Sequence, residues 1–64
     1  MAIDELLAQL PPAECELVRL RFEVGLTQRQ IAFHTGIPLG TVKSRTASAL
    51  RRLRKLVEDE RTPL

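Results

Sequence analysis

Apolar residues recur at helical spacing along nearly all of this 64-residue chain. Ile3, Leu6, Leu7 and Leu10 fall at i, i+3, i+4 and i+7, which predicts an amphipathic helix over about residues 2–10, stopped by Pro11-Pro12. Pro12 sits well in the first turn of a second helix, about 12–24, with Glu14 and Glu16 near the positive end of its dipole and Gly25 as its terminator. That helix carries two apolar stripes: Ala13, Leu17, Leu20 and Val24 on one side, and Cys15, Val18 and Phe22 on the other. Two apolar faces need two partners. Neighbouring helices of the same chain can cover both, or the Cys15/Val18/Phe22 face is a docking surface for another protein.

Thr27-Gln28-Arg29-Gln30 fits a capping box, in which the Thr27 hydroxyl accepts from the Gln30 amide and the Gln30 side chain reaches back to Thr27. A third helix over about 28–35 follows, with Ile31 and Ala32 facing inward and Ala32 small enough for a close helix crossing. Gly36 supplies a positive φ for a tight turn, Ile37 plugs the corner, and Pro38 pre-sets φ where the fourth helix, about 39–57, begins. At about 100° per residue, Val42, Thr46, Ala49, Leu50, Leu53, Leu56 and Val57 lie within about 60° to 80° of one direction and mark a core-facing stripe. Residues 58–64 lose the periodicity and are expected to fray. The pattern therefore predicts one all-α domain of four helices with a C-terminal helix-turn-helix.

So short a chain leaves little room for a core, and a small helical bundle is the economical solution. A single cysteine excludes an internal disulfide, and Cys15 reads first as a small core residue. There is no apolar run of about 20 residues and no signal-peptide pattern, so no membrane association and a cytoplasmic location are expected. His34, the one histidine, has no carboxylate near it in sequence, and Gly25, Gly36 and Gly40 lack phosphate-loop spacing. Neither an enzyme nor a metal, cofactor or small-molecule substrate is indicated.

Charge changes the picture more than composition does. Residues 1–24 hold Asp4, Glu5, Glu14, Glu16 and Glu23 against Arg19 and Arg21, whereas residues 25–57 hold Arg29, Lys43, Arg45, Arg51, Arg52, Arg54, Lys55 and no acid. The outer face of the fourth helix groups Lys43, Ser44, Ala47, Ser48, Arg51, Arg54 and Lys55. An ordinary solvated face mixes signs, because like charges at i,i+4 destabilise a helix. Arg51 and Lys55 repeat at that spacing with nothing to offset them. Such a face, following such a turn, suits a helix that enters the DNA major groove among phosphates.

The stretches Leu10-Pro11-Pro12-Ala13-Glu14, Leu20-Arg21-Phe22, Gly25-Leu26-Thr27, IPLGTVKSR from Ile37 to Arg45, and Ala49-Leu50-Arg51-Arg52-Leu53-Arg54 together resemble region 4 of a bacterial sigma factor of the extracytoplasmic-function type. The resemblance runs from about Leu10 to Val57. It implies a domain whose last helix reads the minus-35 promoter element, contacts with the β flap of RNA polymerase, and regulation by an anti-sigma factor. By position in the motif it assigns base contacts to Lys43 and Ser44, and to the sites held by Ala47 and Ser48. Phosphate contacts fall to Thr41, Arg45 and Arg51, with Thr27, Arg29, Arg54 and Lys55 as further candidates. Three positions depart from the family: Thr46 often has a larger apolar counterpart, Ala47 an aromatic or histidine, and Ser48 an arginine. The nearest rival is the DNA-binding domain of a LuxR-type response regulator, which shares the Thr-Val-Lys entry but generally continues Lys-x-His where this chain has Lys43-Ser44-Arg45. In a further reading the chain is mainly an interaction module for an anti-sigma factor or the polymerase flap.

Overall fold

Pro11 decides where the first helix stops. The computed structural model describes residues 3–61, the last two by backbone alone, and in it α1 spans Ile3–Ala8. The N–H groups of Gln9 and Leu10 donate three residues back, to Leu6 and Leu7 carbonyls at 3.1 Å, so the last turn tightens. A residue before proline is disfavoured in the α region, which ends the regular helix two residues short of the expected position 10. Leu10 is nevertheless buried.

The second helix is not uniform. α2 spans Pro12–Val18 and passes without a break into a π-helical segment, Arg19–Val24. Gly25 closes it at φ 90°, and its N–H donates to the Leu20 carbonyl five residues back. Leu26 N–H donates to the same oxygen at 3.0 Å. A wider turn shifts the angular register, so the straight stripes expected over 12–24 hold only in the first half. Leu17 and Val18 are buried on opposite sides as expected, whereas Phe22 is 57% and Val24 64% exposed. Ala13 is exposed as well.

The turn of the helix-turn-helix forms as its residues dictate. Gln30 N–H donates to Thr27 Oγ1 at 3.1 Å and Thr27 N–H donates to Gln30 Oε1 at 2.8 Å, which completes the capping box of α3, Gln28–Thr35. Gly36 ends α3 at φ 75°, a conformation that a side chain would strain. Thr35 adds a second tie, its hydroxyl donating to the Ile31 carbonyl at 2.7 Å and accepting from Ile37 N–H at 3.2 Å.

α4 spans Leu39–Arg61, four residues beyond the expected end at Val57. Loss of apolar periodicity does not end the helix: Glu58 and Asp59 are exposed, yet Glu58, Asp59, Glu60 and Arg61 include good helix formers and no Gly or Pro. Thr62 and Pro63, also expected to fray, lie outside the described residues. At 23 residues α4 is about 35 Å long and accounts for the elongated shape, 44 × 19 × 16 Å. No helix among the described residues is long and apolar enough to cross a membrane.

Two apolar clusters share α2 and α4 as common walls. Leu17, Ile31 and Val42 form the one beneath the turn, with Leu20, Leu26, Ala32 and Ile37 against it. Leu7, Leu10, Val18 and Ala49 form the other, with Cys15 and Leu53 against it. Thr46 is buried at 3% exposure, and its hydroxyl has no hydrogen-bond partner. A buried unpaired hydroxyl costs about 1–3 kcal/mol. Thr46→Val, nearly the same shape, is therefore expected to raise the thermal midpoint. A fall in the midpoint would show that the hydroxyl is satisfied in solution.

Candidate nucleic-acid interface

The first backbone bond of α4 is Val42 N–H to the Pro38 carbonyl at 2.9 Å, so the N–H groups of Leu39, Gly40 and Thr41 have no intrahelical acceptor. They end a helix dipole that favours an anion. Gln28 and Arg29 N–H at the start of α3 stand in the same condition. Thr27 Oγ1 accepts in the capping box, which leaves its proton free to donate.

Along α4 the structure exposes Lys43, Ser44, Arg45, Ala47, Arg51, Arg54 and Lys55, and leaves Thr41 half-buried; Thr27 and Arg29 are exposed on the preceding turn and helix. Among the described residues the ion pairs engage Arg19 and Arg52, and none engages Lys43, Arg45 or Arg51. Ser44 Oγ donates to the Thr41 carbonyl at 3.2 Å, so its lone pairs face solvent as acceptors.

Ser48 does not join them. Its hydroxyl donates at 2.9 Å to Oε1 of Glu14, a carboxylate of α2 that is buried at 8% exposure. One turn on, Arg52 Nε lies 3.4 Å from the same oxygen and 3.1 Å from Glu14 Oε2. Ser48, expected among the base-reading positions, is half-buried, and its hydroxyl proton is committed to Glu14, where a buried carboxylate without donors would be costly. Sequence reasoning placed Glu14 only at a helix N-terminus and missed this cluster, because its members lie 34 and 38 residues apart. No local pattern carries such a contact.

Of the two readings of the Cys15/Val18/Phe22 face, coverage within the chain holds for part of it. Val18 is buried against α1 and α4, and Cys15 packs partly buried on the same cluster, so of the three only Phe22 is offered to a partner. The Arg21 guanidinium lies 5.3 Å from the Phe22 ring centre. Leu50, expected in the core stripe, is 42% exposed. Together Ile3, Phe22, Leu50 and Leu53 rim a shallow apolar groove of about 220 Å³, floored by Leu7 and Val18. Arg19 crosses beside it, bonded to Glu23 at 2.9 Å and Asp4 at 3.3 Å. Hydrogen bonds to Cys15, Glu23 and Asp4 push its pKa further up, so it stays cationic. Phe33, 87% exposed on α3, was also missed. Its signal was available: two residues past Ile31, at about 200°, it must point away from the core.

A small helical domain with a capped helix-turn-helix and a cationic outer face on its second helix is defined by its form as a DNA-binding domain of the helix-turn-helix class. Residues 6–55 match the family model described as Sigma-70, region 4. The chain belongs to the sigma-70 region 4 family, and that match sets aside the response-regulator alternative. It is also 49% identical over 49 residues to the ECF RNA polymerase sigma factor RpoE of Cereibacter sphaeroides. The aligned stretch is 77% of this chain and 27% of that protein.

Proposed function

We propose that this chain is the promoter-reading domain of a sigma factor of the extracytoplasmic-function type and acts in the cytoplasm. α4 enters the major groove of the minus-35 element. Lys43 and Ser44 meet base edges at its first turns, with Ala47 on the same surface offering only a methyl group. Thr27, Arg29, Thr41, Arg45, Arg51, Arg54 and Lys55 hold the phosphate backbone. The observation that carries this reading is the exposed cationic face of α4, with Lys43, Arg45 and Arg51 outside every ion pair among the described residues.

The chemistry is recognition, not catalysis. Each phosphate neutralised releases counterions and adds about −0.9 to the slope of log affinity against log salt. Arg51→Ala is therefore expected to weaken binding to every duplex alike and to flatten that slope by about 0.9. An unchanged affinity and slope, measured by fluorescence anisotropy across a salt series, would remove Arg51 from the interface.

Promoter selection also needs RNA polymerase, and we assign docking on the polymerase β flap, and capture by an anti-sigma factor, to the apolar groove of Ile3, Phe22, Leu50 and Leu53. Isolated large apolar side chains are common on surfaces, but a contiguous, rimmed groove of them favours a protein partner. Arg54 borders the same side of α4 beside Leu50, Leu53 and Val57, so a partner seated there reaches the edge of the DNA face.

A further inference from the structure

Arg52 is the cation of α4 that the fold itself has claimed. Lys43, Arg45 and Arg51 face solvent unpaired among the described residues, whereas the Nε of Arg52 sits 3.1 Å and 3.4 Å from the two oxygens of Glu14. The carboxylate stands nearly sealed, its side chain 11% exposed, and Oε2 is buried without a well-directed hydrogen bond. Ser48, at i−4 from Arg52, donates to the other oxygen. A buried carboxylate needs this positive neighbour more than a hydrated phosphate does, because water and counterions already serve the phosphate.

We propose that Glu14 is a positioning residue for DNA recognition: by holding Ser48 and Arg52 against α2, it decides which side chains of α4 reach the nucleic acid and keeps Arg52 out of the phosphate contacts. The inference rests on the DNA-binding reading of α4 and goes beyond it, since it assigns a role in that interface to an acid on a different helix. Glu14 subtracts one cation from the face.

The test is the salt dependence of binding to a short duplex of arbitrary sequence, measured on the intact chain. Arg52→Ala is expected to leave the wild-type slope unchanged, although it removes a full charge. Glu14→Gln retains an acceptor for Ser48 and frees Arg52; its slope is expected to steepen by about 0.9, which is about a 3.5-fold change in relative affinity across a fourfold change in salt. Glu14→Gln combined with Arg52→Ala should return to the wild-type slope. Glu16→Gln, the same charge change at an exposed position of α2, should leave it unaltered and so separates position from net charge.

A flatter slope in Arg52→Ala overturns the proposal, because Arg52 would then contact phosphate while paired. So does a Glu14→Gln slope equal to wild type, or equal to that of Glu16→Gln. Should Glu14→Gln fail to fold by circular dichroism, Arg52→Gln decides by the same criterion, because it removes the charge at a side chain that is 60% exposed and keeps an amide donor for the Glu14 carboxylate. Arg51→Ala, run alongside, keeps the two readings apart. If it flattens the slope while the Glu14 series does not move, only the role of Glu14 falls; if wild type shows no salt dependence, the DNA-binding reading falls first.

Discussion

Replacing Lys43 and Ser44 together by alanine is expected to lower the preference for the native promoter element by about 1–3 kcal/mol per lost base contact, while most non-specific binding persists. Both side chains leave the first turns of α4, where a helix-turn-helix protein meets base edges, and both are exposed. Lys43 can donate to guanine O6 or N7. Ser44, with its proton committed to the Thr41 carbonyl, is best placed to accept from a base amino group. Arg54→Ala with Lys55→Ala should do the opposite, since these cations lie about three turns later, where only phosphate is within reach. Competition between the native element and a scrambled one measures the difference. Equal loss of both duplexes in the Lys43/Ser44 variant would mean that the pair supplies charge or shape alone. With the Ser48 proton committed to Glu14 and Ala47 bare, little else on the helix can read bases, so the effect of this pair should be large relative to the whole preference.

Ile31→Ala should cost about 2–5 kcal/mol, the usual range for emptying a fully buried aliphatic site. Ile31 has no exposed surface, and it packs with Leu17 and Val42, one residue from each of the two helices that frame α3. A core this small rarely supplies more than about 3–5 kcal/mol in total. The variant is therefore expected to lose most of its helicity near room temperature and its DNA binding with it. Phe33→Ala, two positions along the same helix and 87% exposed, should leave the melting curve in place. A thermal midpoint in Ile31→Ala equal to that of Phe33→Ala would show that the cluster beneath the turn does not hold the domain together.

The contrast between these neighbours shows what kind of information the chain carries locally. Ile31 and Phe33 are separated by about 200° on a helix, so their opposite fates follow from spacing alone. The capping box at Thr27, the positive φ at Gly36 and the stop before Pro11 were equally legible, because each depends on residues within one turn of each other. So was the cationic face of α4, whose members share one helix and one side. Even the misjudged end of α4 has a local cause: periodicity measures burial, and the helix continues to Arg61 although Glu58 and Asp59 are already exposed.

What the chain could not disclose one segment at a time is where helices meet. The Ser48 hydroxyl meets Glu14, which arrives from 34 residues away once α2 lies beside α4. Val18 could serve as a docking residue until α1 and Ala49 covered it. Phe22 could be covered or left for a partner until the π-helical turn left it exposed, and Leu50 looked like core until the packing left it at a groove. Spacing and local hydrogen bonding therefore determined the four helices, their turn and the charged surface they present. The partners across the helix interfaces were decided only by tertiary packing, because a side chain's angle about its own axis says which way it points and nothing about what stands there.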